Sequence, residues 1–244
     1  MTRKTLLITG SDAEPFLQGL ITNDIGKLDQ GMVYAALLTP QGKFIVDFFL
    51  SRREGGIILD VDAGFADNLV QRLTMYRLRA DVAITPSNLQ VERGIGEIPA
   101  GAFSDPRHAA LGWRRYVETA TPDTNDWAAI RVAHCIPETG IELTPDTFIL
   151  EAGFERLNGV DFRKGCYVGQ EITARMKHKT ELRKGLARVD IDGVAPVGSA
   201  ITKDGKPAGT LFTQSDGHAI AHLRFDRATG DMQAGTAKLV LADK

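Results

Sequence analysis

Cysteine is scarce: the chain has two in 244 residues, and their settings differ too much for a disulfide framework. Cys135 ends a helical, apolar run, where packing explains it, whereas Cys166 stands between glycine and polar neighbours. Two thiols cannot by themselves hold an all-cysteine iron–sulfur cluster within one chain. Any cluster would need a partner, a second copy or other ligands. No apolar run approaches the roughly 20 residues of a membrane helix. Nor does a charged start lead into an apolar stretch, as a secretory leader would. Lysine and arginine number 29 against 31 acids, for a net charge of −2, which argues against a broad nucleic-acid surface. These absences together suit a reducing compartment, and the expected location is the cytoplasm. Gly94-Ile95-Gly96 lacks the third glycine and the following helix of a dinucleotide fingerprint, so it reads as a loop. His218 and His222 fall four apart on a strand, about 13 Å from each other, too far to share one ion.

What is present points to an α+β protein. Lys4 to Thr9 reads as a strand, and Ser11 with Glu14 offers a capping box for a helix carrying Phe16, Leu17 and Leu20. Strands are expected at 33–38, 44–50 and 57–61, divided by Pro40-Gln41-Gly42 and Glu54-Gly55-Gly56. Phe65, Leu69, Leu73 and Tyr76 mark a second helix, and 81–85 and 89–93 return to strand character. Asp123 with Asp126 opens a helix through Trp127, Ile130 and Val132. After Lys179 come five short strands in about 60 residues, the pattern of a small antiparallel barrel.

The richest segment is Lys164-Gly165-Cys166-Tyr167-Val168-Gly169-Gln170-Glu171, which runs on to Arg175. Val168, Ile172 and Met176 recur every four residues, as on the buried stripe of a helix. A thiol just ahead of that helix would feel its positive end, and Lys164 would add charge nearby; both favour thiolate over thiol. Cys166 is thus placed to react or to ligate, although a lone cysteine also serves as a small buried hydrophobe. Glu151 lies in the apolar run Phe-Ile-Leu-Glu-Ala-Gly-Phe. A carboxylate there pairs with a cation such as Arg156 or Arg163, sits exposed at a strand end, or waits for a ligand with paired N–H donors, such as a pterin or guanine-like ring.

Lys164 to Glu171 resembles the signature octapeptide of the YgfZ family, folate-binding proteins of iron–sulfur cluster assembly and repair. Residues 17–24 and 36–43 resemble that family's N-terminal blocks. Leu150-Glu151-Ala152-Gly153 is similar to a segment shared with the glycine-cleavage T-protein (aminomethyltransferase) group. The resemblance implies a T-protein-like, three-lobed α+β fold that receives tetrahydrofolate or another reduced folate. Its folate-binding region, of two intertwined subdomains, is expected over 1–179, and the barrel over 180–244. It implies that Glu151 reads the pterin, with Asn23, Gln170 and Arg175 as further lining residues; Arg175 either meets the folate's acidic tail or pairs with Glu171. Asp47 takes the place of the acid near the folate nitrogen, where T-proteins carry two adjacent acids and this chain has Val46-Asp47. The function implied is support of iron–sulfur cluster assembly or repair, with Cys166 as the working thiol and with assembly proteins and client enzymes as partners. Two other readings are a one-carbon transferase of the T-protein type and a folate-free scaffold in which the octapeptide is a docking turn.

Overall fold

The computed structural model describes residues 2–179 and 181–242. The chain divides into two compact units, Met1–Asn125 with Glu155–Ile172, and Asp126–Phe154 with Thr173–Lys244.

In the first unit β1 (Arg3–Thr9), β2 (Val33–Leu38), β3 (Phe44–Arg53), β4 (Gly56–Asp62) and β5 (Ala83–Pro86) form one antiparallel sheet in the order β2-β3-β4-β1-β5. The six residues of β2 are all buried. That explains why β2 reads as a continuous apolar run rather than an alternating one. Helices α1 (Ala13–Gln18) and α2 (Ala66–Arg77) lay Leu17, Ala66, Leu69 and Leu73 into the same core as Ile8, Leu37, Phe48 and Leu59. The capping box expected at Ser11 does not form. The helix starts one residue later, from Asp12, and the Ser11 hydroxyl and amide both donate to the Asp81 carboxylate, at 2.9 and 3.1 Å. A partner 70 residues away has displaced the local one. A second, three-stranded sheet joins β6 (Gln90–Gly94), β7 (Phe103–Ser104) and β8 (Trp113–Val117) in the order β6-β8-β7.

The second unit opens with α3 (Trp127–Ala133), capped by the Asp126 carboxylate, which accepts the Ala129 N–H at 3.0 Å. The helix closes in a Schellman motif: Ile136 N–H donates to Arg131 C=O at 2.8 Å and Cys135 N–H to Val132 C=O at 3.2 Å. Cys135 takes the left-handed position, φ +50°, and is half-buried. Its place is thus set by the turn more than by the core packing expected for it. Helix α4 (Gln170–Lys179) begins in the first unit, through Ile172, and continues in the second from Thr173. Then β9 (Lys184–Asp192), β10 (Ala200–Lys203), β11 (Lys206–Ser215), β12 (His218–Arg224), β13 (Met232–Ala234) and β14 (Ala237–Leu241) close an antiparallel barrel in the order β10-β11-β12-β9-β14-β13. Alternation fills it: Ala219, Ala221 and Leu223 of β12 point inward with Val189, Leu211 and Leu239, so His218 and His222 point outward. The barrel has a sixth strand beyond the five expected. That strand, β13, has only three residues and lies between Gly230-Asp231 and Gly235, too short to show alternation.

Candidate functional site: the Cys166 loop and the Glu151 pocket

Gly169 is held at φ +83°, and a Cβ there would lie 2.5 Å from the Thr39 carbonyl oxygen. Gly42, at φ +73°, would place a Cβ 2.9 Å from that of Ile172. The turn after β2 and the head of α4 therefore touch backbone to backbone, and each contributes a glycine to let the other approach. The left-handed Gly169 also sets the start of the helix at Gln170. Val168 precedes the helix instead of belonging to it and packs on the core of the first unit. Cys166 thus stands four residues ahead of Gln170, beyond the first turn in which a helix end acts strongly.

Lys164 faces inward. Its ammonium donates to the carbonyls of Gln18, Ile21 and Asn23 at 2.7, 2.6 and 3.0 Å and lies 5.0 Å from the centre of the Tyr167 ring. Burial pushes its pKa down to about 8, so near neutral pH it keeps the proton and offers three N–H donors to three acceptors. The charge expected to assist the thiol is instead committed to the turn after α1. Lys164 and Tyr167 are buried, while Gly165 and Cys166 between them are exposed. The thiol therefore sits at the tip of a loop anchored on both sides.

That anchoring continues to Asp47. The Asn23 amide donates to the Tyr34 and Asn158 carbonyls, at 2.8 and 2.7 Å, and its oxygen accepts from Asp24 N–H and the Lys27 ammonium. All four of its hydrogen-bonding positions are filled within the protein, so none is left for a ligand. The Tyr34 hydroxyl donates to the buried Asp47 carboxylate at 2.8 Å. Burial and the Asp47 charge push the Tyr34 phenol well above its usual value, which keeps it a donor. Lys164, Asn23, Tyr34 and Asp47 thus form one hydrogen-bonded series within the first unit.

Around it lies a cluster of buried charges drawn from distant parts of the chain. Asp60 accepts from Arg3 at 2.6 Å and from Arg114 at 2.7 Å, and Asp105 pairs with Arg107 at 2.8 Å. The Arg114, Arg107 and Arg3 guanidinium carbons stand 4.0, 4.7 and 5.5 Å from the Phe49 ring centre. Three guanidinium groups pair with the carboxylates of Asp60 and Asp105, and Arg3 and Arg107 also feel the charge of Asp47, so the buried ions are compensated. Burial opposes the ionisation of Asp105, but Arg107 and Arg114 hold its carboxyl below the usual value. The only local signal was an aspartate inside each of two apolar strands, at Asp47 and Asp60. Their arginine partners come from distant elements.

Glu151 belongs to the second unit. Its carbonyl accepts the Leu186 N–H at 2.7 Å, and a Cβ on Gly185 would lie 2.8 Å from that oxygen. Its side chain is 10 % exposed; Oε2 lies 3.3 Å from His222 Nε2 and 3.8 Å from Lys184 Nζ. The side chains that hold it are therefore His222 and Lys184. A pocket of about 240 Å³ opens here, lined by Glu142, Asp146, Glu151, Lys184, Phe212 and His222 among others. Glu142 is fully engaged: it accepts from Arg131, from the Glu138 amide, and from the amide and hydroxyl of Thr213. Of the other expected site residues, Gln170 opens α4 half-buried, and Glu171 and Arg175 are exposed on that helix.

Residues 183–243 match the family described as CAF17, C-terminal beta-barrel domain. The chain is similar over its fold to a glycine cleavage system aminomethyltransferase T from Bartonella henselae, with TM-score 0.75 and 14% identity, covering 99% of this chain and 83% of that one. The α+β class and the T-protein-like fold are thereby shown. Among curated proteins, the mitochondrial iron–sulfur cluster assembly factor IBA57 of Homo sapiens is 29% identical over 94% of this chain and 78% of its own length. The Mus musculus protein of that name is 30% identical over 97% of this chain and 79% of its own length. The relatives' names specify mitochondria, which corrects the cytoplasmic expectation. Free thiols require a reducing compartment and do not select the cytoplasm among such compartments. The family resemblance is likewise refined from YgfZ. At this identity and coverage, the chain belongs to the family of the iron–sulfur cluster assembly factor IBA57.

Proposed function

We propose that this protein serves iron–sulfur cluster assembly by lending the Cys166 thiolate as a transient ligand of a cluster in transit, with a reduced folate held at Glu151. The observation that carries the first part is the exposed cysteine at the tip of a loop whose flanks, Lys164 and Tyr167, are buried. Such a thiol is accessible to a cluster on another protein yet held in a defined place. Among the described residues no group of three or more His, Cys, Asp or Glu is arranged to hold a metal ion. Cys166 then supplies one ligand, and the others come from the assembly protein or client enzyme that carries the cluster.

The folate part rests on Glu151. Its Oε1 makes no hydrogen bond among the described residues, while Oε2 is held by His222. A carboxylate so placed meets a ring N–H beside an exocyclic amine, the pair that a pterin presents. The pocket of about 240 Å³ is smaller than the ~300–1,000 Å³ of complete ligand sites, so it suits a ring at one end of a longer molecule.

The test is Cys166→Ser in cells lacking their own copy of the protein. The variant keeps the size and loses the soft thiolate, and an exposed side chain contributes little to the fold. Cluster-dependent enzyme activity should fall to that of the deletion, while the melting temperature of the purified variant stays with the parent's. Full complementation would overturn the thiolate role and leave the octapeptide as a structural turn.

A further inference from the structure

We propose that His222, on the barrel, is a positioning residue that orients the Glu151 carboxylate toward a flat ring bearing two adjacent N–H donors. This rests on the reading that the Glu151 pocket receives a reduced folate. The arrangement that supports it lies within the second unit. Leu186 of β9 and His222 of β12 are direct cross-strand partners. Glu151 is fastened to both, its carbonyl to the Leu186 amide at 2.7 Å and its carboxylate to His222 Nε2 at 3.3 Å. Two attachments on one cross-strand pair fix the path of the side chain between them.

A carboxylate nine-tenths buried has lost most of its water and takes hydrogen-bonding partners instead, and the two candidates differ in what they contribute. Lys184 is half exposed and 3.8 Å away, a point charge on a flexible stem that sets no direction. The His222 ring rises from a strand flanked by β11 and β9 in a closed barrel, so the backbone that carries it is fixed on both sides. Donating from Nε2 to Oε2, it sets the tilt of the carboxylate plane and leaves Oε1 without a hydrogen bond among the described residues. Thr210, the cross-strand partner of His222 on β11, and Phe212 beyond it continue the same outer face into the pocket wall. Glu142, already saturated by Arg131, Thr213 and Glu138, cannot stand in for Glu151.

The experiment measures binding of tetrahydrofolate and of p-aminobenzoylglutamate, the same molecule's tail without the pterin, to the full-length parent, His222→Ala and His222→Gln. Glutamine keeps an N–H donor near the place of Nε2. His222→Ala should weaken tetrahydrofolate by roughly tenfold, the worth of a hydrogen bond to a charged group. His222→Gln should recover to within about threefold of the parent, and neither change should alter binding of the tail fragment. Parent-like tetrahydrofolate affinity in His222→Ala, or a glutamine variant as weak as the alanine one, would overturn the positioning role while leaving the folate reading intact. An equal loss of both ligands in His222→Ala would overturn it too, by showing general damage to the barrel face. A parent that binds no tetrahydrofolate would overturn the folate reading and this proposal together.

Discussion

Lys164 shows how far a residue's type can be read from sequence and its role cannot. The octapeptide marks it as important, and its position two residues before Cys166 suggests an electrostatic helper for the thiol. Its three carbonyl partners lie about 140 residues upstream, and nothing local announces them. Lys164→Met would leave three carbonyls to find new donors, at a cost on the order of 3 kcal/mol. Lys164→Arg should not restore the loss, because a planar guanidinium cannot present three N–H groups to carbonyls converging on one atom. The native value of about 8 lies below the usual 10.5, so the unfolded chain keeps this proton to higher pH than the folded one. Between those values the parent should therefore gain stability relative to Lys164→Met as pH rises, and the gain should be absent below pH 8. Urea denaturation of both proteins from pH 7 to 10 measures it. A difference that is flat with pH, or that falls, would contradict the buried ammonium.

At the scale of elements, local signals succeeded where local physics decides. Strand β2 was legible to the residue because six consecutive apolar side chains are buried on both faces. The turns at Pro40-Gln41-Gly42 and Glu54-Gly55-Gly56 also fell where glycine takes positive φ. Strand β8 carries no local strand signal because Trp113-Arg114-Arg115-Tyr116-Val117 pairs its charges with Asp60 and Glu92 instead of alternating them with apolar residues. The start of α4 was misplaced because the recurrence at Val168 and Ile172 continues past the left-handed Gly169 without regard to backbone angle. Two glycines separate angle from contact. Gly55, at φ +83°, has nothing within 4 Å of where its Cβ would be, while Gly169 shares the angle and faces Thr39 O. Gly55→Ala should cost about 1 kcal/mol and Gly169→Ala about 2–3 kcal/mol or more, since the second adds a backbone collision to the strain. Thermal melts of the two variants compare them directly, and equal costs would mean that the approach of α4 to the β2 turn is looser than described.

For the molecule as a whole, the fold was readable because two kinds of pattern agreed. Five short strands after Lys179, split by turn residues, indicate a barrel, and the blocks at 17–24, 36–43 and 164–171 resemble a known family. The site was only half readable. Cys166 and Glu151 stood out as a thiol among glycines and a carboxylate among apolar residues, but their supports did not. His222 comes 71 residues after Glu151 on a strand that sequence alone assigns to the barrel's own needs. Fold likeness to an aminomethyltransferase at 14% identity carries no activity with it. The local chemistry also argues against one. Where T-proteins resemble this chain with two adjacent acids, Val46 is buried in the core and Asp47 alone remains, already accepting from the Tyr34 hydroxyl. That bond and the surrounding guanidinium groups commit the carboxylate to the fold, whereas a group steering a reacting nitrogen needs a free acceptor in the complex. The purified protein, given lipoylated carrier, ammonia and methylene-tetrahydrofolate, should therefore show little or no glycine-cleavage aminomethyl transfer, and Tyr34→Phe should lower stability without creating any. Turnover comparable to that of an authentic T-protein would make one-carbon transfer the primary reading and Cys166 secondary to it.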